Sequence, residues 1–299
     1  MVRDAPEHRS PADLLTFGVV NLDKPPGPSA HQVAAWVRDA VDDALDAAGD
    51  DRTLGRVAHG GTLDPKVTGC LPILLGDAAR AARVFDDAVK EYVTILELHD
   101  QAPPDFDSIV AEFEGEIYQK PPRKSAVKRR LRSRTIHALD VLERHDRRAL
   151  LRVRCGSGTY VRKLCHDIGL ALGTGAHMGE LRRTATGDFD DRDLVTMEDL
   201  VDALAEWADN DDEGWLHETV APAEHALRGY PTVTIAPSAA REVAHGAPVY
   251  APGVIETDAE QGAEVCCVTP DGAAVCLGRL VGDPDAEGGV AVELERVLV

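Results

Sequence analysis

Asp64 lies in Gly60-Gly61-Thr62-Leu63-Asp64-Pro65. The glycines there permit close approach of another backbone, and Pro65 keeps the aspartate out of the helical region. A carboxylate held at a rigid turn can act as a nucleophile or a general base. The same residues also suit an Asp-Pro turn with a solvated side chain, and spacing leaves both readings open. Tyr160 and Arg162 follow Gly158-Thr159. A guanidinium at that place can pair with a carboxylate or a phosphate, and a tyrosine can stack on a base or fill a core. His59 is a lone histidine beside glycines, for which a structural role is the default. Ser157, His166 and Asp167 are too close in sequence to have the logic of a catalytic triad. Lys120, Arg123, Lys124, Lys128, Arg129, Arg130, Arg132 and Arg134 are eight cations with no acid between them. Such a run in an acidic chain points to a strip that binds phosphate.

The acidity is pronounced. The chain has 299 residues, with 52 Asp+Glu against 32 Lys+Arg, for a net charge of −20. Asp outnumbers Glu 32 to 20 and Arg outnumbers Lys 25 to 7, which is not the Lys and Glu bias of heat adaptation. A high-salt cytoplasm fits better, because salt screens the self-repulsion. With 44% apolar residues the chain can build cores, so it is no disordered acidic polymer. Net charge alone argues against a nucleic-acid ligand and for an acidic adaptor of basic proteins; the cationic strip argues the other way. No apolar run is long enough to span a bilayer, so no membrane partner is expected. The first 16 residues lack the pattern of a secretion signal. The six cysteines show no CxxC pairs, and we expect buried thiols in a cytoplasmic protein, with no metal site.

These candidate residues require elements to place them. The run Gly18–Leu22 ends in Asp23-Lys24-Pro25-Pro26-Gly27-Pro28, a turn. Ser29 and Gln32 form a capping box for a helix whose apolar face is Val33, Trp36, Val37, Ala40 and Val41. An apolar run, Cys70–Leu75, precedes a helix predicted over 77–89 and a strand over 93–98. In 151–155 apolar and basic residues alternate, predicting a strand with one basic face. Val161, Leu164, Cys165, Ile168 and Leu172 mark the next helix, and Thr196 caps another over about 197–207. Beyond Gly229 the pattern becomes short strands at 232–235, 264–268, 273–280 and 290–299, with one helix near 239–245, as in a small β-barrel-like module. This change of period divides the chain into 1–228 and 229–299. The fold class expected is α+β, a mixed and mainly antiparallel sheet flanked by helices, followed by the barrel-like domain.

Taken together and in order, several segments resemble the TruB/dyskerin family of RNA pseudouridine synthases, most closely its archaeal dyskerin-type branch. They are Leu22-Asp23-Lys24-Pro25-Pro26-Gly27, the stretch from His59 through Asp64 to Pro72, Lys90-Glu91-Tyr92, and Gly158-Thr159-Tyr160-Val161-Arg162 with Leu164–Gly169. Tyr118–Pro122 and Ser125–Arg129 are also dyskerin-like, and the C-terminal block resembles a PUA domain, an RNA-binding module. The resemblance implies that Asp64 is the catalytic aspartate. Tyr92 would stack on the target base or help remove a proton, and Arg162 would pair with Asp64 beside Tyr160. Lys24 and Leu181 would line the pocket, and His59 would assist extrusion of the base. A buried Asp64 would need Arg162 to remain ionised. Ala30 and Lys163 depart from the family pattern without touching these residues.

Isomerisation breaks the C1′–N1 bond and joins C5 to the same carbon without redox change, so no cofactor is expected. The carboxylate could attack the sugar, attack the base, or remove a sugar proton. The resemblance implies uridine-55 of tRNA, or rRNA selected by an H/ACA guide RNA, as substrate. It also implies a kink-turn-binding ribosomal protein, a small zinc-binding protein and a glycine/arginine-rich-type protein as partners. A non-catalytic RNA-binding scaffold of a ribonucleoprotein is the alternative.

Overall fold

A computed structural model of the chain describes residues 2–121, 128 and 130–299. Ten strands form the first sheet: β1 (Gly18–Lys24), β2 (Val57–His59), β3 (Thr68–Leu75), β4 (Lys90–Leu98), β5 (Gly115–Gln119), β6 (Arg132–His145), β7 (Arg148–Cys155), β8 (Ala176–Thr186), β9 (Phe189–Asp190) and β10 (Ala221–Pro222). Their main path is β10-β1-β3-β8-β4-β7-β6-β5, with β2 on β3 and β9 on β8. Within it, β3 and β8 pair in parallel and the other pairs are antiparallel. The fold class is therefore the expected α+β arrangement. Two apolar clusters pack on this sheet. One lies beneath the helices Ala30–Ala47 and Met197–Asn210, and the other beneath Val161–Ala171.

Local chemistry explains most boundaries. The capping boxes at Ser29/Gln32 and Thr196/Asp199 are both formed, each satisfying two otherwise orphaned helix donors. Val33, Val37 and Val41 are buried as their spacing demands, but Trp36 is 47% exposed and does not belong to that face. Ala34, Ala44 and Leu45 complete it instead. The helix expected over 77–89 is a 3₁₀ segment, Gly76–Phe85. In β7, Leu151, Val153 and Cys155 are buried while Arg152 and Arg154 are exposed, the alternation a half-buried strand requires. All six cysteines are buried and free.

The second sheet, order β12-β16-β15-β14-β11-β13, is built from β11 (Thr232–Ile235), β12 (Val249–Tyr250), β13 (Val254–Thr257), β14 (Glu264–Val268), β15 (Ala274–Leu280) and β16 (Val290–Val297). It has its own apolar core around Val233, Val265 and Val275. A further cluster joins it to the first sheet, with Phe17, Leu74 and Phe85 on one side and Cys266, Leu277 and Leu298 on the other. No helix is long and apolar enough to cross a membrane among the described residues.

Candidate active site

Between β3 and the start of helix Val161–Ala171 lies a cavity of about 720 Å³ whose lining includes Asp64, Tyr92, Tyr160, Arg162 and Leu181. Residues separated by more than a hundred positions in the sequence thus meet. Arg162 Nη2 donates to Asp64 Oδ2 at 2.5 Å. The two side chains are 57% and 59% exposed, so the pairing does not rescue a buried carboxylate as expected from the sequence. Its effect is orientational: one charge-assisted bond fixes Oδ2. Among the described residues, Oδ1 has no hydrogen-bond partner.

The turn that carries Asp64 is held from below. Lys24 is wholly buried and does not line the cavity, contrary to expectation. Its Nζ donates to Pro65 O (3.1 Å), Val67 O (2.8 Å) and Pro25 O (2.9 Å). Gly27 N–H also donates to Pro65 O, at 2.8 Å. The Asp23–Gly27 segment therefore clamps the Asp64 turn through backbone carbonyls. Burial pulls the Lys24 ammonium below its usual range, and Asp64 opposes that pull.

From the other side Arg183, 1% exposed, donates through Nε to Cys70 O at 2.7 Å and through Nη2 to Gly61 O at 3.1 Å. Gly61 has φ +99°, which a side chain rarely adopts, and an added Cβ would lie 3.2 Å from Arg183 Nη1. Lys90, also nearly buried, donates to Phe85 O at 2.6 Å and Ala88 O at 2.8 Å. Both cations line the cavity; Lys90 belongs to the Lys90-Glu91-Tyr92 motif, but sequence reasoning assigns neither of them a role. Arg183 follows Leu181-Arg182 in a strand, yet charge and alternation alone place an arginine in solvent.

Tyr92 is half-buried and packs against both core clusters of the first sheet, as does Leu181. Burial raises the Tyr92 phenol above its ordinary value, while the charge of Arg183 acts in the opposite direction. Its ring forms part of the cavity wall. Cys155 also lines the cavity, and burial pushes its thiol up to about 11, so it stays protonated and inert near neutrality. Tyr160 precedes the Arg162 helix, and its backbone exchanges two hydrogen bonds with the buried Gln119 side chain, at 2.9 and 3.2 Å. That pair joins the β5–β6 hairpin to the helix start.

His59 is not in this cavity. With His31, Arg38 and Arg56 it lines a second one of about 440 Å³ behind the Asp64 turn. It ends β2, which pairs with β3. Burial, followed by the charges of Arg183 and His31, lowers its imidazole from the ordinary 6.5. The unfolded chain then binds this proton more readily than the folded one. The resulting stability is complete above about 6.5 and is lost as pH falls below it. We expect His59→Gln to flatten the fall of Tm on acidification through that range. An unchanged slope would assign it to another depressed histidine, such as His225.

The cationic strip begins at the end of β5 and runs into β6. Lys120, Lys128 and Arg130 are exposed, and Arg132 and Arg134 are half-buried. Arg123, Lys124 and Arg129 lie outside the described residues. Arg134 Nε donates to Gly158 O at 2.8 Å, which ties the strip to the turn before Tyr160 at the rim of the cavity.

Comparison with known proteins agrees with this arrangement. The model described as "TruB family pseudouridylate synthase (N terminal domain)" matches residues 51–105 and 102–161, and a "tRNA pseudouridylate synthase B C-terminal domain" matches 162–228. A "PUA domain" model matches 231–298 and a "DKCLD (NUC011) domain" model matches 4–34. Fold and site thus define a pseudouridine synthase that carries a PUA domain. The chain is 71% identical to the "Probable tRNA pseudouridine synthase B" of Haloarcula marismortui, over 100% of this chain and 94% of that one. It is 44% identical to the protein of that name from Methanocaldococcus jannaschii, over 98% and 86%. Among solved structures it resembles that of "a Cbf5-Nop10-Gar1 Complex" (TM-score 0.89, 41% identity, covering 100% of this chain and 90% of that one). A second match is "H/ACA RNP bound to a substrate RNA containing 2'-deoxyuridine" (TM-score 0.88, 38% identity, 100% and 90%). The chain belongs to the TruB family of pseudouridylate synthases.

Proposed function

We propose that this enzyme converts uridine to pseudouridine in RNA with Asp64 as the reacting group, and that it does so both on tRNA and within an H/ACA guide-RNA particle. The observation that carries this is the Asp64–Arg162 pair at 2.5 Å on the rim of a tyrosine- and leucine-walled cavity, with a cationic strip tied to the same rim. The target base must leave its stack, at a cost of a few kcal/mol that the pocket has to offset. Tyr92 and Leu181 supply an apolar and aromatic wall for the extruded ring. Arg162 keeps one carboxylate oxygen occupied so that Oδ1 faces the nucleotide. As C1′–N1 breaks and C5–C1′ forms, the C5 proton is lost and N1 gains one, so the reaction is proton-neutral overall. The C5 proton passes to a base at the site, Asp64, Tyr92 or water.

One related structure is of an H/ACA RNP and another of a Cbf5-Nop10-Gar1 complex, and the relatives are named for tRNA. On that basis we assign this chain a guide RNA and substrates in rRNA and at uridine-55 of tRNA. Its protein partners would be a kink-turn-binding ribosomal protein, a small zinc-binding protein and a glycine/arginine-rich-type protein. The strip carries eight cations, whose phosphate contacts weaken with salt, so RNA held at molar salt relies on the shape of the cavity as well as on local charge. The test uses labelled tRNA and, separately, guide plus target RNA with partners, in molar KCl. We expect RNA binding and pseudouridine in both. Binding without product would support a scaffold, and loss of folding or binding at that salt would refute the halophilic reading.

A further inference from the structure

The 3₁₀ segment Gly76–Phe85 connects the C-terminal domain to the Asp64 turn. Along one side, Arg3 bridges Asp77 at 2.8 Å and Leu298 O at 2.5 Å, and Arg80 donates to Val297 O at 3.3 Å. Arg83 meets Glu264 at 3.4 Å and also pairs with Glu295, two carboxylates shared with Arg279. The buried Ala78, Ala81 and Phe85 join one core with Cys266, Leu277 and Leu298. At its far end the segment reaches the site. The Phe85 ring lies so close to Gly60 that a Cβ there would sit 3.1 Å from two ring carbons. Phe85 also lines the cavity, and its carbonyl accepts from Lys90 at 2.6 Å. Lys24 and Arg183 hold the Asp64 turn from below and from the side, and Phe85 packs against Gly60 at its start.

We propose that Phe85 is a positioning residue for the Asp64 turn and that the PUA domain sets it through this segment. The RNA-binding domain would then act on the chemical step as well as on RNA affinity. The inference rests on the reading of Asp64 as the reacting group. Magnitudes separate it from plain domain packing. The Arg83 ion pairs are between a quarter and two-fifths exposed, and such pairs contribute little to stability. A shift of about 1 Å at a reacting group, in contrast, can lower a rate about 100-fold.

The test uses the full chain with tRNA substrate under single-turnover conditions at saturating enzyme. Glu264→Gln with Glu295→Gln should slow isomerisation about 3- to 10-fold, with RNA Kd within about twofold and Tm little changed. Phe85→Leu should slow it at least as much. The triple variant should be no slower than Phe85→Leu alone, because both changes act through one contact. Arg83→Lys should keep more of the rate than Arg83→Gln. Rate losses that multiply in the triple variant would overturn the proposal. So would a raised RNA Kd with an unchanged saturated rate, or variants that all match an active wild type. A wild type that makes no pseudouridine would instead overturn the underlying reading of Asp64.

Discussion

Asp64→Asn is expected to abolish isomerisation, with a loss of about 10⁴-fold or more, while leaving RNA affinity nearly intact. The substitution keeps the shape of the side chain and an oxygen for Arg162, which bonds Oδ2 at 2.5 Å. It removes the charge and the nucleophilic or basic oxygen, and an amide replaces neither. Affinity should persist because the cationic residues at 120–134 and the cavity walls are untouched. The fold should persist too, since the turn is held by its backbone and not by the carboxylate. The measurement is pseudouridine formed per enzyme from uridine-labelled RNA, alongside filter binding and a thermal melt. Turnover near the wild-type rate would remove Asp64 from the mechanism under any of the three chemical routes.

Lys24→Met should damage both stability and rate although the side chain never meets the substrate. The ammonium satisfies Pro25 O, Pro65 O and Val67 O inside the protein. Methionine fills similar volume but leaves the buried Val67 O and the partly buried Pro25 O unpaired, each worth about 1–3 kcal/mol, while Pro65 O keeps the Gly27 N–H. Relief of a buried charge offsets part of that, since ionic groups pay a desolvation penalty of several kcal/mol. With two acceptors against one ion, the net expectation is a loss of about 1–2 kcal/mol. The freed turn should displace Asp64 relative to Arg162 and cost about 100-fold in rate at saturating RNA. A Tm and a saturated rate both equal to wild type would show that Gly27 N–H and Arg183 suffice to hold the turn.

The two experiments probe different parts of one device. On the proposed reading the carboxylate does the chemistry at an exposed rim, while Lys24 and Arg183 fix the backbone around it and Lys90 holds the end of the Gly76–Phe85 segment. Lys24, Lys90 and Arg183 are all nearly or wholly buried, and all direct their donors to carbonyl oxygens. In a chain with a net charge of −20, these buried cations are insulated from the surface composition. The acidic exterior can therefore suit a saline solvent while the interior keeps the arrangement the reaction needs.

Much of this is legible in the residues alone. Local signals set the elements: capping boxes at Ser29 and Thr196, alternation in β7, and turn residues between the C-terminal strands. Ordered motifs locate Asp64, Tyr92, Tyr160, Arg162 and Leu181, which the fold brings to one cavity. Tertiary structure alone decides which cations are buried. Sequence assigns a lysine or arginine to solvent because burial of an isolated charge is so costly, and only carbonyls supplied by distant segments make burial tolerable for Lys24 and Arg183. It also decides that His59 lines a different cavity from Asp64, with His31, Arg38 and Arg56, segments that the sequence does not bring together. Finally, it places Phe85 between the C-terminal domain and Gly60, a contact across chain distances that no local periodicity encodes.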